Sequence, residues 1–436
     1  MGLRILLCGL VLGTIFHATA TELARQAYLG VNLRVSGPPT TGAEISGINS
    51  PEVAAKLGFK TGDHILQINS IEITSSASLS RALRTLHGGD KALFKIMREG
   101  RALELAGVLD ALPKEKLPGV DVLHDAILTD AGYRLRAIIT RPKNKPGKLP
   151  VIFLVGWLSC DSVEYPLVVD DGFGQLLHDI ASHSGMVLFR VDKPGTGDSE
   201  GPACRDLDLK TELAAYKAAF RSLQRYDFID TNQITVLGMS NGGGFAPLVA
   251  KDAKVKSFIV AGGWVKTWFE HMIELERRRV QLSGMPLERI AGAMRGYSEF
   301  YDDYLIRKKT PGEIIQAKPN LADLWYDQPD HQYGRPASFY HQLEDLDLLG
   351  AWARVDVPVL AIHGEYDWIM SREDHEIIAA LVNKNHPGNG RFVELPKTNH
   401  LLFSYPSSQE AFKNASSGRY NPAATSVVLE FLGVQQ

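Results

Sequence analysis

The residues with the clearest chemical potential lie in the pentapeptide Gly238-Met239-Ser240-Asn241-Gly242. It follows the apolar run 234–237 and precedes a helix-like stretch that begins at Gly243. A Gly-x-Ser-x-Gly pattern alone arises often by chance, but a serine on a sharp strand-to-helix turn is an exposed nucleophile. The flanking glycines let the strand and the helix approach closely. The segment therefore predicts Ser240 as a catalytic nucleophile.

A serine hydroxyl is a weak nucleophile until a base takes its proton, so the chain must also supply a histidine and an acid that orients it. Asp367 and His400 each come just after a predicted strand. Taken singly, Asp367 can be a helix cap and His400 an ordinary loop histidine. Their order along the chain and their places at strand ends favour a Ser240, Asp367 and His400 triad. Glu365 is the rival acid, but the Gly-x-x-Asp spacing favours Asp367.

Short apolar runs supply the strands that must position these residues, and they lie at 151–155, 186–191, 234–237, 258–261 and 357–362. Such runs are typical of parallel strands that are buried on both faces. Helical stretches lie between them, which predicts an α/β fold with a mostly parallel sheet covered on both sides. The interval at about 264–349 breaks this alternation and is predicted to be a helical cap. Its aromatic residues either line an acyl pocket or fill the helix core; they are Trp264, Trp268, Trp325, Tyr326, Phe339 and Tyr340.

A smaller β/α module is predicted at 25–109, ahead of the α/β domain. Ser50-Pro51 predicts the start of one short helix, and Ser78 is typical of the cap of a second. A polar, proline-flanked stretch at 110–117 has the composition of a linker. The α/β domain is therefore predicted to span 118–436.

The first module resembles a PDZ domain of the kind found in exported bacterial proteases. The resemblance lies in Tyr28-Leu29-Gly30-Val31, in Ser50-Pro51 and in Lys60-x-Gly62-Asp63. It implies a peptide-binding site at Tyr28, Leu29, Gly30 and Val31, in which the backbone N–H groups of the Leu29 to Val31 loop hold the C-terminal carboxylate of a peptide or protein partner while the next strand pairs with that peptide. The alternative is that the module only packs against the catalytic domain.

The second module resembles the α/β-hydrolase superfamily, in the serine turn, the order of the triad and the Gly-rich segment Asp192 to Ser199. The resemblance implies an oxyanion hole built from the backbone N–H groups of Trp157 and Asn241. It also implies that the strands ending at Gly156 and Asp192 are neighbours. Cys160 and Cys204 lie in the two loops that follow these strands, and the resemblance then implies a disulfide at the site entrance. Two reduced cysteines are the alternative.

The N-terminus predicts export. Arg4 precedes the apolar stretch 5–16, and Ala18-Thr19-Ala20 has the small-x-small form of a signal peptidase site. Residues 1–20 are therefore predicted to be a secretory signal of a periplasmic or secreted protein. The apolar stretch is shorter than the ~20 residues of a membrane-spanning helix. A formal charge of −3 without a Lys/Arg block argues against nucleic acid as a partner.

These features together predict an exported serine hydrolase that cleaves carboxylic esters and needs no cofactor. A metal mechanism is not expected, because Ala379 replaces the second histidine that a zincin helix beginning at His375-Glu376 would require. Two alternatives stay open: a serine peptidase of the prolyl-oligopeptidase type, and a non-catalytic PDZ scaffold. The expected substrate is therefore a small ester or a peptide.

Overall fold

The computed structural model describes residues 22–34, 42–167 and 171–434, so the predicted signal segment 1–20 lies outside the described residues. The first module contains, in chain order, β1 (Ala27–Tyr28), β2 (Val31–Leu33), β3 (Ala43–Ile48), α1 (Pro51–Leu57), β4 (His64–Ile68), β5 (Ile71–Glu72), α2 (Ser76–Leu83), β6 (Lys91–Arg98), β7 (Arg101–Val108) and β8 (Asp110–Ala111). Its main sheet has the order β2-β3-β4-β6-β7, with β5 beside β4. The strand β2 therefore lies at the edge of the sheet.

The second module begins with β9 (Val120–Leu128), β10 (Arg134–Pro142), β11 (Leu149–Val155), α3 (Gly172–His183), β12 (Val187–Val191), α4 (Leu209–Ser222), β13 (Ile229–Met239), α5 (Asn241–Val249) and β14 (Ser257–Ala261). The cap follows, with α6 (Trp268–Leu282), α7 (Leu287–Tyr301), α8 (Pro311–Ala317), β15 (His331–Gln332), β16 (Arg335–Pro336), α9 (Ala337–Glu344) and α10 (Leu348–Ala353). The chain then adds β17 (Val359–Gly364), α11 (Arg372–Asn385), β18 (Gly390–Leu395), β19 (Phe403–Ser404), α12 (Ser408–Lys413), β20 (Arg419–Tyr420) and α13 (Ala423–Phe431).

Eight of these strands form one sheet with the order β18-β17-β14-β13-β11-β12-β10-β9. The strands from β18 to β12 pair in parallel, whereas β10 is antiparallel to both of its neighbours. The predicted α/β fold class is confirmed. The strands β11 and β12 are parallel neighbours, as the family resemblance implied.

Each face of this sheet is covered by its own apolar core. Successive side chains of a strand point to opposite faces, so one apolar strand contributes to both cores. Along β11, Val151 and Phe153 belong to one core, whereas Ile152 and Leu154 belong to the other. The helices α4, α5 and α11 pack on the first face, and α3 and α13 pack on the second. Burial on both faces explains why these strands are nearly uninterrupted apolar runs. No helix among the described residues is long and apolar enough to cross a bilayer.

The segment 110–117 is bound to both modules. The strand β8 pairs with β1 of the first module. Glu115 is buried and forms an ion pair with Arg190 of β12 at 2.9 Å. Just before β1, Arg25 pairs with Glu164 and with Asp198 of the second module, each at 2.6 Å. The boundaries 25–109, 110–117 and 118–436 stay predictions, but the stretch between the modules is not a free polar tether.

Candidate active site

Ser240 lies on the turn between β13 and α5 with φ 53° and ψ −122°. Such a backbone conformation is rare for a residue with a side chain and costs on the order of 1–3 kcal/mol. The neighbouring glycines are required by space, because a Cβ on Gly238 would lie 2.5 Å from the carbonyl oxygen of Gly242. A Cβ on Gly242 would lie 2.0 Å from the carbonyl oxygen of Val155. The pattern of small residues therefore brings the start of α5 against the end of β11.

The three residues predicted as a triad meet at one edge of the sheet. His400 Nε2 lies 3.0 Å from Ser240 Oγ, and His400 Nδ1 lies 2.8 Å from Asp367 Oδ2. The loop after β17 carries Asp367, and the loop after β18 carries His400. The ring of Phe173 packs edge-on against His400, with 5.6 Å between the ring centroids. The imidazole therefore has one nitrogen toward the hydroxyl and the other toward the acid.

Asp367 is held as a carboxylate. Its Oδ1 accepts hydrogen bonds from the backbone N–H groups of Ile369 and Met370, both at 2.9 Å. Burial on its own would raise the pKa of Asp367, but the charge and hydrogen bond of His400, with smaller contributions from His363 and the backbone N–H of Met370, together bring the pKa down to about 2. An ionised acid in this place fixes the orientation of His400 and stabilises the imidazolium. The rival acid Glu365 instead accepts a hydrogen bond from the backbone N–H of Lys397.

The two residues predicted for the oxyanion hole lie on the wall of the cavity that contains Ser240. Asn241 is the first residue of α5, and Trp157 follows the end of β11. A helix N-terminus offers backbone N–H groups without partners inside the helix. Close packing of α5 on β11 brings these two segments together, and the convergence of their N–H groups on one oxygen stays a prediction.

Lys193, a residue that sequence reasoning left out of the site, holds the loop after β11. Its buried ammonium group donates to the carbonyl oxygens of Trp157, Leu158 and Ser159 at 2.5, 3.2 and 2.6 Å. Burial lowers the pKa of Lys193 well below its usual value. Three acceptors match the three donors of an ammonium group, however, and favour the charged form. The only sequence signal is its place after Asp192 in the Gly-rich segment.

A disulfide joins Cys160 and Cys204, with 5.7 Å between their Cα atoms. It links the loops after β11 and β12. The buried Arg335 of the cap donates to the carbonyl oxygen of Cys204 at 2.6 Å and forms an ion pair with Glu212 of α4. The entrance loops are therefore tied to one another and to the cap.

A cavity of about 460 Å³ opens onto Ser240 and His400. Among the cap aromatics, Trp268 lines this cavity. Trp264, Phe339 and Tyr340 are fully buried in the core, and Tyr326 is half exposed. Sequence reasoning missed other lining residues, which come from distant parts of the chain: Phe173, His271, Leu275, Tyr333, Trp368 and Leu401.

The predicted carboxylate loop of the first module lies between β1 and the edge strand β2. Gly30 has φ 71°, and its carbonyl oxygen accepts from the backbone N–H groups of Asn49 and Ser50. The hydroxyl of Tyr28 donates to the side chain of Asn49 at 2.5 Å. One edge of β2 has no strand partner among the described residues. An edge strand beside an ordered turn is the arrangement that strand addition requires.

Comparisons with known proteins define the class. A model of the alpha/beta hydrolase family matches residues 151–412, which is more than half of the chain. A model of the PDZ domain matches residues 27–106. The chain therefore belongs to the alpha/beta hydrolase family and carries an N-terminal PDZ domain, and the predicted resemblance is confirmed.

Individual proteins share only low sequence identity with this chain. The serine endoprotease DegS of Haemophilus influenzae is 28% identical over 88 residues, which cover 20% of this chain and 26% of that protein. The chain thus spans about a quarter of the length of this curated relative. Est1E of Butyrivibrio proteoclasticus with bound ferulic acid is 18% identical, with a TM-score of 0.45, over 71% of this chain and 99% of that one. The Pyrococcus furiosus esterase is 12% identical, with a TM-score of 0.42, over 74% and 96% of the two chains.

Proposed function

We propose that the chain is a serine hydrolase that cleaves carboxylic esters through an acyl-enzyme on Ser240. The observation that carries the proposal is the unbroken set of hydrogen bonds from Ser240 Oγ through His400 to Asp367. Nucleophile, base and orienting acid are within reach of one another, as this chemistry requires. The coarser conclusion, a hydrolase of the alpha/beta family, rests on the family match.

In the first half-reaction, His400 Nε2 takes the proton of Ser240 as Oγ attacks the ester carbonyl carbon. The carbonyl oxygen becomes an oxyanion, which the backbone N–H groups of Trp157 and Asn241 stabilise. The tetrahedral intermediate collapses, the bond to the alcohol oxygen breaks, and His400 gives its proton to the departing alcohol. Ser240 is left as an acyl ester.

In the second half-reaction, water attacks the acyl carbon while His400 takes one of its protons. The bond to Ser240 Oγ breaks, the proton returns to Oγ, and a carboxylic acid leaves. An ester is favoured over a peptide because the cavity next to Ser240 has a volume of about 460 Å³ and is mostly lined by aromatic and aliphatic side chains. Such a cavity suits a small acyl group better than an extended chain.

The test is to label purified protein lacking residues 1–20 with a fluorophosphonate, beside Ser240→Ala. We expect labelling that the variant loses, together with turnover of 4-nitrophenyl esters. Preferred turnover of peptide 4-nitroanilides would instead indicate the peptidase. If the correctly folded protein is not labelled and turns over no substrate, the protein is a non-catalytic PDZ scaffold and the proposal is wrong.

We also propose that the PDZ domain binds a peptide with a free C-terminal carboxylate. The edge strand β2 and the turn at Gly30 support this proposal. Fluorescence anisotropy should detect binding of members of a random C-terminal peptide library, but not of the same peptides with amidated ends. Gly30→Ala should abolish binding because its Cβ would lie 2.7 Å from the carbonyl oxygen of Ser50. The matched control is Gly89→Ala, which also has positive φ but has open space around it.

Export to the periplasm or the medium is the third part of the proposal, and it rests on residues 1–20. Expression of the full chain in a Gram-negative host should yield exported protein whose measured mass is that of a chain beginning at Thr21. Recovery of an intact Met1 form in the cytoplasmic fraction alone would contradict export.

A further inference from the structure

The cap contributes a histidine to a wall of the cavity that is otherwise made of aromatic and aliphatic side chains. His271 lies on α6, lines the cavity and is 1% exposed. Its Nδ1 atom is buried and has no hydrogen-bond partner among the described residues. Nδ1 itself has almost no accessible surface, so a ligand in the cavity would meet the ring at Nε2, which also has no hydrogen-bond partner among the described residues. An unpaired polar atom on a cavity wall carries a cost that a bound ligand can remove.

The orientation of the His271 ring is determined by its neighbours. It packs on Trp268 with 4.5 Å between ring centroids and lies 6.0 Å from Trp264. Burial lowers the pKa of His271 to about 4, so the imidazole is neutral near pH 7. A neutral imidazole has one donor and one acceptor nitrogen. The group therefore suits an uncharged hydrogen-bonding partner.

The charged side chains that line the cavity disfavour one class of ligand. Its charged lining residues are Asp161 and Asp171, and no Lys or Arg lines it within the described part of the chain. A carboxylate or phosphate in this cavity would meet two acidic side chains on the lining and no cationic side chain with which to pair there. Aromatic walls from Phe173, Trp268 and Trp368 favour a ring or a bulky apolar group.

We propose, on the basis of the proposed function, that the cavity holds the uncharged, aromatic-sized half of an ester and that His271 hydrogen-bonds an oxygen substituent on that half. His271 is then a specificity-determining residue. It discriminates between esters that differ by one hydroxyl group, because the ester without the hydroxyl leaves the imidazole unpaired.

Two matched series test the proposal. In the acyl series, the 4-nitrophenyl esters of 3-phenylpropanoate and of its meta- and para-hydroxy derivatives are compared. In the alcohol series, the acetates of 2-phenylethanol and of its meta- and para-hydroxy derivatives are compared. We expect a kcat/KM at least about tenfold higher for a hydroxylated ester than for its parent in one series. The para-carboxylate analogue should be at least about tenfold poorer than the parent.

Substitutions of His271 test whether the imidazole causes the preference for hydroxylated esters. His271→Phe keeps the ring and should bring the ratio of hydroxylated to parent kcat/KM to within about twofold of one. His271→Asn keeps a hydrogen-bonding group near the same place and should retain part of the preference. The matched control His341→Phe removes a cap histidine that does not line the cavity and contacts the carbonyl oxygen of Lys309, so the ratio should not change.

Two results would overturn the proposal: no hydroxylated ester preferred over its parent in either series, or a preference that survives in His271→Phe. If either result is obtained while Ser240 is still labelled by the fluorophosphonate, the role of His271 is rejected and the proposed hydrolase function is not. Loss of both labelling and all turnover would reject the proposed function itself, so the two failures are distinguishable.

Discussion

Asp367, His400 and Lys193 at the sheet edge differ from His271 and Trp268 on the facing cap wall in the pairing of their polar atoms. At the sheet edge, Asp367 and His400 each have hydrogen-bond partners, and Lys193 donates to three carbonyl oxygens. On the cap wall, Nδ1 of His271 and Nε1 of Trp268 are buried without partners among the described residues. The difference teaches that the candidate groups for bond cleavage are already held in place by hydrogen bonds, as preorganised catalysis requires, whereas the polar atoms of the cap wall are not.

The largest effect should come from breaking the sheet edge at its acid. Asp367→Asn keeps the shape of the side chain but stabilises the wrong tautomer of His400, so kcat/KM for a 4-nitrophenyl ester should fall by about 10³–10⁴-fold. The matched control Glu365→Gln should stay within a few-fold of the unchanged protein. A larger loss in Glu365→Gln than in Asp367→Asn would assign the acid to Glu365.

Removing the disulfide should loosen the entrance loops. The double variant Cys160→Ala, Cys204→Ala removes a cross-link between residues 44 positions apart in the sequence. In the chain-entropy model, the unfolding free energy should therefore fall by roughly 4 kcal/mol. Urea unfolding measures this change. Titration of the unreduced protein that lacks residues 1–20 should find no free thiol, and two free thiols would contradict the bond.

As the pH falls, the cap wall and the sheet edge should lose their contributions to the unfolding free energy at different pH values. His271, with its pKa lowered to about 4, stays neutral in the folded chain while the unfolded chain takes up a proton below about pH 6.5. The unfolding free energy should therefore fall as pH drops from 6.5 to 4, by roughly 3 kcal/mol from this residue. Asp367, with a pKa of about 2, contributes stability above about pH 4 that is lost as pH falls toward 2.

Urea unfolding at several pH values checks this order. His271→Phe should flatten the slope between pH 6.5 and 4, and His375, whose pKa burial also lowers to about 4, should retain its own share. Asp367→Asn should flatten the slope below pH 4. An unaltered slope in His271→Phe would mean that the imidazole is not held neutral.

The smallest effect concerns the support of the loop that carries Trp157, the predicted oxyanion donor. Lys193→Met removes the donor that holds three carbonyl oxygens, and kcat should fall by about 10- to 100-fold with little change in KM. Lys210→Met, a substitution at an exposed lysine, is the matched control and should have no effect. A rise in KM with unchanged kcat would show that Lys193 shapes the substrate pocket and not the transition state.

The sequence was most informative where neighbouring residues set the geometry. The apolar runs predicted the strands because burial on both faces demands continuous apolar sequence, and the glycines around Ser240 signalled a close approach of strand and helix. The Tyr28-Leu29-Gly30-Val31 turn was found in the same way. The stretch 110–117 has a linker's composition, yet Glu115 is buried because Arg190 of a distant strand compensates its charge.

The sequence by itself therefore determined the family, the two-module order and the candidate nucleophile, since each depends on short motifs and their order. Only the tertiary structure decided which aromatic side chains reach the cavity, that Lys193 holds a loop 36 residues away, and that Arg335 contacts Cys204 across 131 residues. It also placed His271 beside the candidate active site. The physical reason is that long-range packing, and not local periodicity, selects the neighbours of a buried polar group.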